Sequence, residues 1–463
     1  MDSSIRMSSI GHYQDSIKSL DMNDLLELFK CLEPFLLGDS KDGNNDNDND
    51  NADDALLRGK FDIVYQEYVK RVSEQMRNWV GNIVKRDEPC LCNSEGNIIS
   101  RDPEDIMQLV EMQMEVAREH ISRPSYITGV FSTCLEEIRN SMQTKLASGT
   151  LDIEGLCILA NDCQNLWEHF EAMTLKMDFE NGHRKEDKES CMSQCFLELC
   201  AVVTKEIAKI VVEDIKTKAM VDLCSEMWLS EETDCMEAII ATLEDYFCDL
   251  SKWLIDFFCA KCAKSCFDGV VVSYVEVALS KGRKPFSCAK KAAKILEKDR
   301  IRLKTFFLHK FEIKLKPAAL RSEEQISGQL EILQAIATFL SAETPSLVTS
   351  SFIIYYRDFG HEDCVEAILE TVHLRSDMTP SKLAAWGEAV AIWRKSINRA
   401  QGSIKRKNRF DLPHLQERKN EGLVFTTFAA KKELHGSDSK NIDNQTVLPA
   451  AVEKKRLKVI SLT

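Results

Sequence analysis

The stretch "RDPEDIMQLVEMQMEVAREHI", residues 101–121, carries a clear helical signal. Apolar residues that recur every three or four positions lie on one face of an α-helix. The residues with this spacing are Ile106, Val110, Met114, Ala117 and Ile121. Asp102 followed by Pro103 is typical of a helix start, because aspartate caps free N–H groups and proline fits the first helical position. The stretch therefore predicts a helix with one buried stripe.

The same periodicity extends along most of the chain. "TPSL" at Thr344 and "TPSKLAAW" at Thr379 repeat the helix-start pattern, and residues 285–315 predict another long helix. The segment "GVVVSYVEVAL", residues 269–279, is rich in β-branched residues and would suit a strand. We interpret it as helix, because a lone strand in a helical chain would leave its edges unpaired.

Composition supports the helical interpretation. Of 463 residues only 18 are glycine and 10 are proline, the residues that tight turns and phosphate-binding loops consume. These numbers favour long helices joined by short loops, and hence an all-α fold of elongated antiparallel bundles. The sequence contains no G-x-x-x-x-G-K-[ST], G-x-G-x-x-G, H-E-x-x-H or G-x-S-x-G pattern. We therefore expect no enzymatic activity and no cofactor.

The sequence divides into four predicted regions. Residues 1–60 hold a short helix and a disordered acidic loop, "GDSKDGNNDNDNDNADD". The loop does not fit a calcium-binding register, because glycine and glutamate are missing at its sixth and twelfth positions. Residues 61–186 predict a helical bundle, residues 187–400 the C-terminal helical bundle or bundles, and residues 401–463 a disordered basic tail.

Charge is unevenly distributed between the body and the tail. Residues 401–463 contain 13 Lys/Arg and 7 Asp/Glu, so the tail carries +6 and residues 1–400 carry −20 of the total −14. The basic clusters consist of Lys405, Arg406, Lys407, Arg409, Lys454, Lys455, Arg456 and Lys458. Such clusters bind anionic lipid surfaces or acidic partners, or serve as nuclear import signals, and many are simply solvated. We keep the eight residues as candidates for lipid or partner contact.

Cysteine is abundant, with 17 residues. In "WLIDFFCAKCAKSC", residues 253–266, the spacing of Cys259, Cys262 and Cys266 resembles a metal-binding pattern. The same spacing places all three thiols on one face of a helix, where free cysteine behaves as a small buried hydrophobe. We favour the helix face and keep a metal site or a redox role as alternatives. The start of the chain has no signal-peptide pattern, which indicates a reducing, cytoplasmic environment.

Histidines and the remaining cysteines suggest no further site. His120, His169 and His309 lie within helical patterns without a paired ligand. His361, in "HEDC", lacks a second histidine and precedes an apolar helix whose first turn the acidic residues suit. Cys90 and Cys92 follow a proline in a predicted loop.

Several stretches resemble the exocyst subunit family known as exocyst complex component three, or "secretion six". Residues 242–307 are similar to the family's "T-x-E-D-Y-F-x-D" segment, here Glu244 to Asp249, and to its "V-V-V-x-Y" segment, here Val270 to Tyr274. "LCILANDCQNLWEHF" resembles its "A-x-x-N-N-C/S" helix, with Asp162 where a second asparagine is common. "CVEAILETVHLRSDMT" resembles its "A-L-L-x-x-R-G-D" segment, with Ser376 in place of glycine.

The collinear matches cover roughly residues 20–395 and resemble the family's C-terminal region; they begin after the family's long helical N-terminal part. The resemblance implies a rod of stacked helical bundles, as in multisubunit tethering complexes, without catalytic residues. It also implies a role in docking secretory vesicles at the plasma membrane and contacts with other exocyst subunits and SNARE proteins. Two alternatives stay open: a subunit of another helical-rod tethering complex, and a cytosolic cysteine-rich metalloprotein.

Overall fold

The computed structural model describes residues 16–37, 50–86, 89–180, 193–280, 284–310, 323–348 and 371–400. Helices follow one another along these residues. They are Met22–Leu37 (α1), Asp50–Ile83 (α2), Asp102–His120 (α3), Pro124–Ala147 (α4), Ile153–Glu180 (α5), Gln194–Lys218 (α6), Glu226–Ser230 (α7), Cys235–Trp253 (α8), Asp256–Ala278 (α9), Ala289–Thr305 (α10), Glu323–Ser341 (α11) and Pro380–Ala400 (α12). A π-helical turn, Phe306–Lys310, follows α10, and a 3-10 helix spans Pro345–Val348.

The helices pack side by side into stacked bundles. Helix α1 packs on α2, α2 on α4, α5 on α6, α6 on α9, and α10 on α11. The predicted all-α fold of stacked helical bundles is confirmed. The division at residues 186 and 187 stays a prediction. Within the described residues, none of the helices is both long and apolar enough to cross a lipid bilayer.

Helix α3 shows how the apolar pattern builds the core. All five residues of its stripe, Ile106 to Ile121, are buried. The helix begins at Asp102, but Arg101 occupies the N-cap position, and the predicted capping role of Asp102 is wrong. The Asp102 carboxylate instead lies 3.1 Å from Lys145 Nζ of α4. The carboxylate of Asp102 thus pairs with Lys145 of the next helix and does not cap the start of its own helix.

Two segments of ambiguous sequence adopt different structures. Residues 269–279 continue helix α9, as predicted, and Val271, Val275 and Ala278 are buried. Residues 285–288 are not helical, so the helix predicted from residue 285 begins only at Ala289. The Phe286 N–H donates a 2.7 Å hydrogen bond to the Leu374 carbonyl oxygen, which holds this segment in an isolated β-bridge.

Short turns account for further differences from the sequence prediction. Helix α2 begins at Asp50, so the last part of the predicted acidic loop is helical, whereas residues 38–49 lie outside the described residues. "TPSKLAAW" starts helix α12 as predicted, but "TPSL" forms only the 3-10 helix. The segment after Pro89, predicted as loop, contains a hairpin of Leu91–Cys92 (β1) and Ile98–Ile99 (β2), which turns through Gly96 at φ +88°.

Candidate functional site

The three cysteines of residues 253–266 lie in the interior. Cys259, Cys262 and Cys266 are buried on one face of α9. A hydrogen bond to Cys266, followed by burial, raises the pKa of the Cys262 thiol well above its usual range. Burial likewise raises the pKa of Cys157 on α5, which lies near Cys259 and Cys262. Burial and the neighbouring thiols thus favour the protonated form of Cys157 and Cys262.

A second thiol pair joins α5 to α6. A hydrogen bond to Cys200, and burial, raise the pKa of Cys163 well above its usual range. The Cys200 thiol donates to the carbonyl oxygen of Ala160 at 3.4 Å. Across the part of the chain that the structure describes, no group of three or more His, Cys, Asp or Glu side chains is arranged to hold a metal ion.

A buried polar junction connects the hairpin, helix α5 and the corner between α8 and α9. Asn161 Nδ2 donates to the carbonyl oxygens of Ile98 at 2.7 Å and Trp253 at 2.8 Å. Its Oδ1 accepts the Ile255 N–H at 3.3 Å. From the hairpin, Asn97 Nδ2 donates to the Leu254 carbonyl oxygen at 2.8 Å. The two amides satisfy backbone groups that would otherwise be buried without partners.

The adjacent carboxylate, Asp162, anchors the strand that leaves the hairpin. It accepts hydrogen bonds from Ser100 N at 3.0 Å and Ser100 Oγ at 2.6 Å. Ser100 Oγ in turn accepts the Asp102 N–H at 3.0 Å, so the junction continues into the start of α3. Burial raises the pKa of Asp162 to about 6, although the bonds from Ser100 stabilise its charged form.

A second buried carboxylate lies between α7, α9 and α10. Asp299 Oδ2 accepts hydrogen bonds from Tyr274 OH at 2.7 Å and Trp228 Nε1 at 3.4 Å. Burial raises the pKa of Asp299, while the two donors act in the opposite direction. Burial also raises the pKa of Tyr274 well above its usual range. The two hydrogen bonds tie the three helices together.

The side chain of Arg375, which lies further along the chain, caps the C-terminal end of helix α11. The buried guanidinium donates to the carbonyl oxygens of Phe339, at 3.1 Å, and of Ala342, which directly follows the helix. Its other face binds Asp377 through Nε at 3.0 Å and Nη2 at 2.8 Å. Free carbonyl groups at a helix end need such donors. Arg375 of the "R-S-D" sequence therefore caps the end of α11, and Asp377 holds its guanidinium in place.

The structure does not bring the predicted surface candidates together. His120 Nδ1 lies 2.9 Å from its own helix carbonyl at Val116, and His169 Nε2 lies 3.2 Å from Glu111 Oε1. Cys92 lies in β1 and Cys90 just before it, both exposed. All eight basic residues of the tail, from Lys405 to Lys458, and also His361, lie outside the described residues.

Sequence reasoning missed the polar junction and the two other buried ionic groups. A signal existed for Asp299, since it lies between Leu296 and Leu303 on the apolar stripe of α10. Asn161 and Asp162 similarly interrupt an apolar run. Asn97 and Ser100 flank strand β2. They gave no such signal, because a two-residue strand shows no periodicity in sequence.

The comparisons with known proteins agree with this architecture. The crystal structure of the C-terminal domain of the exocyst subunit Sec6p is similar, with a TM-score of 0.59 at 14% sequence identity, over 79% of this chain and 97% of that chain. The crystal structure of M-Sec is similar with a TM-score of 0.52 at 12% identity, over 86% of this chain and 67% of that chain. At these identities the likeness shows a shared fold.

A protein-family model identifies the family. The model described as exocyst complex component Sec6 matches residues 33–379, well over half of the chain. The matched range includes the Asn161–Asp162 junction and the Arg375–Asp377 helix end, where the resemblance to the exocyst subunit family was noted in sequence. That resemblance is confirmed. The chain belongs to the exocyst complex component Sec6 family.

Proposed function

We propose that the chain acts as a non-enzymatic subunit of the exocyst, docks secretory vesicles at the plasma membrane during exocytosis, and contacts SNARE proteins. The observation that carries this proposal is the match of the Sec6 family model over residues 33–379. The fold is consistent with the proposal, because stacked helices present long faces on which partners bind through a few buried anchors.

The buried polar groups support a structural role over catalysis. Asn161, Asp162, Asp299 and Arg375 each bond to groups on other helices or loops and fix how those elements pack. A catalytic carboxylate or histidine would instead face a cleft that admits substrate.

A cavity of about 360 Å³ between α1, α2 and α3 is lined by Met22, Leu26, Gln113 and His120 among others. The Nδ1 atom of His120 already lies 2.9 Å from the carbonyl oxygen of Val116. Glu27 and Tyr68 also line the cavity. Glu27 Oε1 accepts a 3.2 Å hydrogen bond from Lys30 Nζ, so both Glu27 and His120 have partners within their own helices.

We expect the partners to be other exocyst subunits and SNARE proteins, and the location to be cytoplasmic, at the periphery of the plasma membrane where secretion occurs. The basic residues between Lys405 and Lys458 are candidates for contact with anionic lipid. Sedimentation with phosphatidylserine-containing liposomes, with and without residues 401–463, tests this contact. If the chains with and without residues 401–463 sediment equally, the proposed lipid contact of the tail is wrong.

Co-purification of the tagged chain from its own cells tests the main proposal. Recovery of sister exocyst subunits together with SNARE proteins is the expected result, and the tag alone is the control. Recovery of subunits of a different tethering complex instead would overturn the assignment to the exocyst. Recovery of exocyst subunits without SNARE proteins would overturn only the proposed SNARE contact.

A further inference from the structure

Helices α6 and α9 lie side by side and run in the same direction. A Cβ atom added to Gly269 of α9 would lie 2.6 Å from Val212 Cγ2 of α6, so the two backbones approach closely there. Two turns later on α9, Glu276 Oε2 lies 3.1 Å from Lys216 Nζ of α6. Residue 269 therefore faces residue 212 and residue 276 faces residue 216, and this alignment places residue 261 beside the residues just after 200, where Lys261 interacts electrostatically with Lys205.

An exposed basic and apolar patch lies on this helix pair. The side chain of Phe257 is 50% exposed, and that of Val202 is 46% exposed. Lys261 Nζ lies 4.5 Å from the centroid of the Phe257 ring, a cation–π contact. Exposed Lys264 follows one turn later, and exposed Lys205 lies on α6. We call these five residues the α6–α9 patch.

The patch brings like charges close together. Lys264 and Lys205, after burial, lower the pKa of Lys261, as expected where ammonium groups repel one another. In the part of the chain that the structure describes, Lys261 forms no ion pair with a carboxylate. Residues 1–400 nevertheless carry a net charge of −20. A local concentration of lysines on so acidic a body is complementary to a localised acidic partner.

We propose that the α6–α9 patch binds an acidic amphipathic helix of a protein partner, either a sister subunit or a SNARE protein. This inference rests on the proposed function. Packed helices lie about 8–10 Å apart, and the groove between them accepts the ridge of a third helix. Carboxylates spaced three or four residues apart on that helix would reach lysines on both sides. An apolar residue between them would cover Phe257 and Val202.

The net charge favours a protein helix over a membrane. An anionic bilayer extends far beyond the patch and would meet a body whose residues 1–400 carry a net charge of −20, whereas a single helix about 10–12 Å wide contacts only the patch. The repulsion would act over the Debye length, about 8 Å at physiological salt. The two occupants are therefore separable by experiment.

Binding of the full chain to purified sister exocyst subunits and purified cytosolic regions of SNARE proteins tests the inference. The variant Lys205→Glu/Lys261→Glu/Lys264→Glu reverses the charge of the patch. The control Lys85→Glu/Lys176→Glu/Lys294→Glu makes the same change of net charge at exposed lysines just after α2, on α5 and on α10. Phe257→Ala removes the ring without changing charge. Circular dichroism confirms that each variant is folded.

We expect the patch variant to bind at least one of these proteins about tenfold more weakly than the wild type, and the control variant to bind as the wild type does. Phe257→Ala should weaken the same interaction severalfold. If wild type, patch variant and control all bind alike, the inference is wrong although the proposed function stands. If the wild type binds none of the proteins, both fail. If the patch variant loses only binding to phosphatidylserine vesicles, the occupant is a membrane and the inference is overturned.

Discussion

Asn161 of helix α5 donates a 2.8 Å hydrogen bond to the carbonyl oxygen of Trp253, which lies 92 residues further along the chain. The same amide binds Ile98 of the hairpin, and its oxygen accepts the N–H of Ile255. One side chain therefore satisfies three backbone groups from two separate segments. Through it the corner between α8 and α9 is fixed against α5.

Replacement of Asn161 by alanine should destabilise the protein strongly. The substitution leaves two carbonyl groups and one N–H buried without partners, and each such group costs about 1–3 kcal/mol. We expect the free energy of unfolding to fall by about 2–4 kcal/mol, measured by urea denaturation. Asn165→Ala, one turn further along α5, is the matched control and should change it much less. Equal losses from the two variants would show that the junction contributes nothing specific.

Replacement of Asp162 by asparagine should stabilise the protein at neutral pH. The pKa of Asp162 is about 6 in the folded state, because the carboxylate is buried, whereas an unfolded aspartate titrates near 3.9. Between these values the folded state holds more protons, so the stability of the wild type falls as pH rises from about 4 to about 6. Asparagine keeps an acceptor for Ser100 N and offers a donor to Ser100 Oγ without a charge.

The test of Asp162→Asn is the difference in unfolding free energy between variant and wild type across this pH range. The variant should gain up to about 3 kcal/mol above pH 6, since one unit of pKa corresponds to about 1.4 kcal/mol. The gain should shrink toward pH 4. A difference that does not change with pH would contradict the assignment of the raised pKa to this carboxylate.

The conservative substitution Arg375→Lys should also be costly. Lysine has a single ammonium group and cannot reach the carbonyl oxygens at the end of α11 while also holding Asp377 at two atoms. We expect the free energy of unfolding to fall by about 1–3 kcal/mol, with faster amide exchange in the last turn of α11. The control is Arg300→Lys. Arg300 pairs with Glu297, and both lie on α10, so this substitution should cost less than about 1 kcal/mol. A larger loss at Arg300 would refute the special role of Arg375.

Helix positions were predictable from sequence, whereas the contacts between distant segments were not. The stripe from Ile106 to Ile121 predicts α3 because apolar spacing alone determines its buried face. The role of Asn161 depends on where Trp253 ends α8, and no local pattern encodes that meeting. Phe286 lies on the apolar side of a helical pattern, yet its N–H donates to the Leu374 carbonyl oxygen. Because of this contact, α10 begins only at Ala289. Local propensity yields to tertiary hydrogen bonding at such points.

Thiol labelling should separate the cysteines by burial. In the native protein, iodoacetamide should modify exposed Cys248 and Cys288 and leave Cys259, Cys262 and Cys266 unmodified until the chain is denatured. Buried thiols are inaccessible, and the raised pKa of Cys262 also suppresses its reactive thiolate. Peptide mass spectrometry measures the sites. Elemental analysis of the same sample should find no stoichiometric zinc or iron, and either metal at one atom per chain would restore the metal hypothesis.

Gly269 is required for the close approach of α9 to α6. An alanine Cβ there would meet Val212 Cγ2 at 2.6 Å and Val212 Cγ1 at 3.2 Å, so the helices would have to separate. Overpacking of this kind costs about 1–3 kcal/mol, which should appear as a lower urea midpoint for Gly269→Ala. The same substitution at Gly387 of α12 meets no atom within 4 Å. It should raise the midpoint, because alanine is favoured over glycine in helices by about 0.5–1 kcal/mol.

The opposite signs expected at the two glycines separate helix propensity from packing. If the clash with Val212 is the cause, Val212→Ala should restore part of the stability of Gly269→Ala, although Val212→Ala alone creates a cavity and destabilises the chain. A double-mutant cycle by urea denaturation measures this coupling. Strict additivity would mean that α6 and α9 do not meet at these residues. The parallel alignment that brings Phe257, Lys261 and Val202 to one surface would then lose its main support.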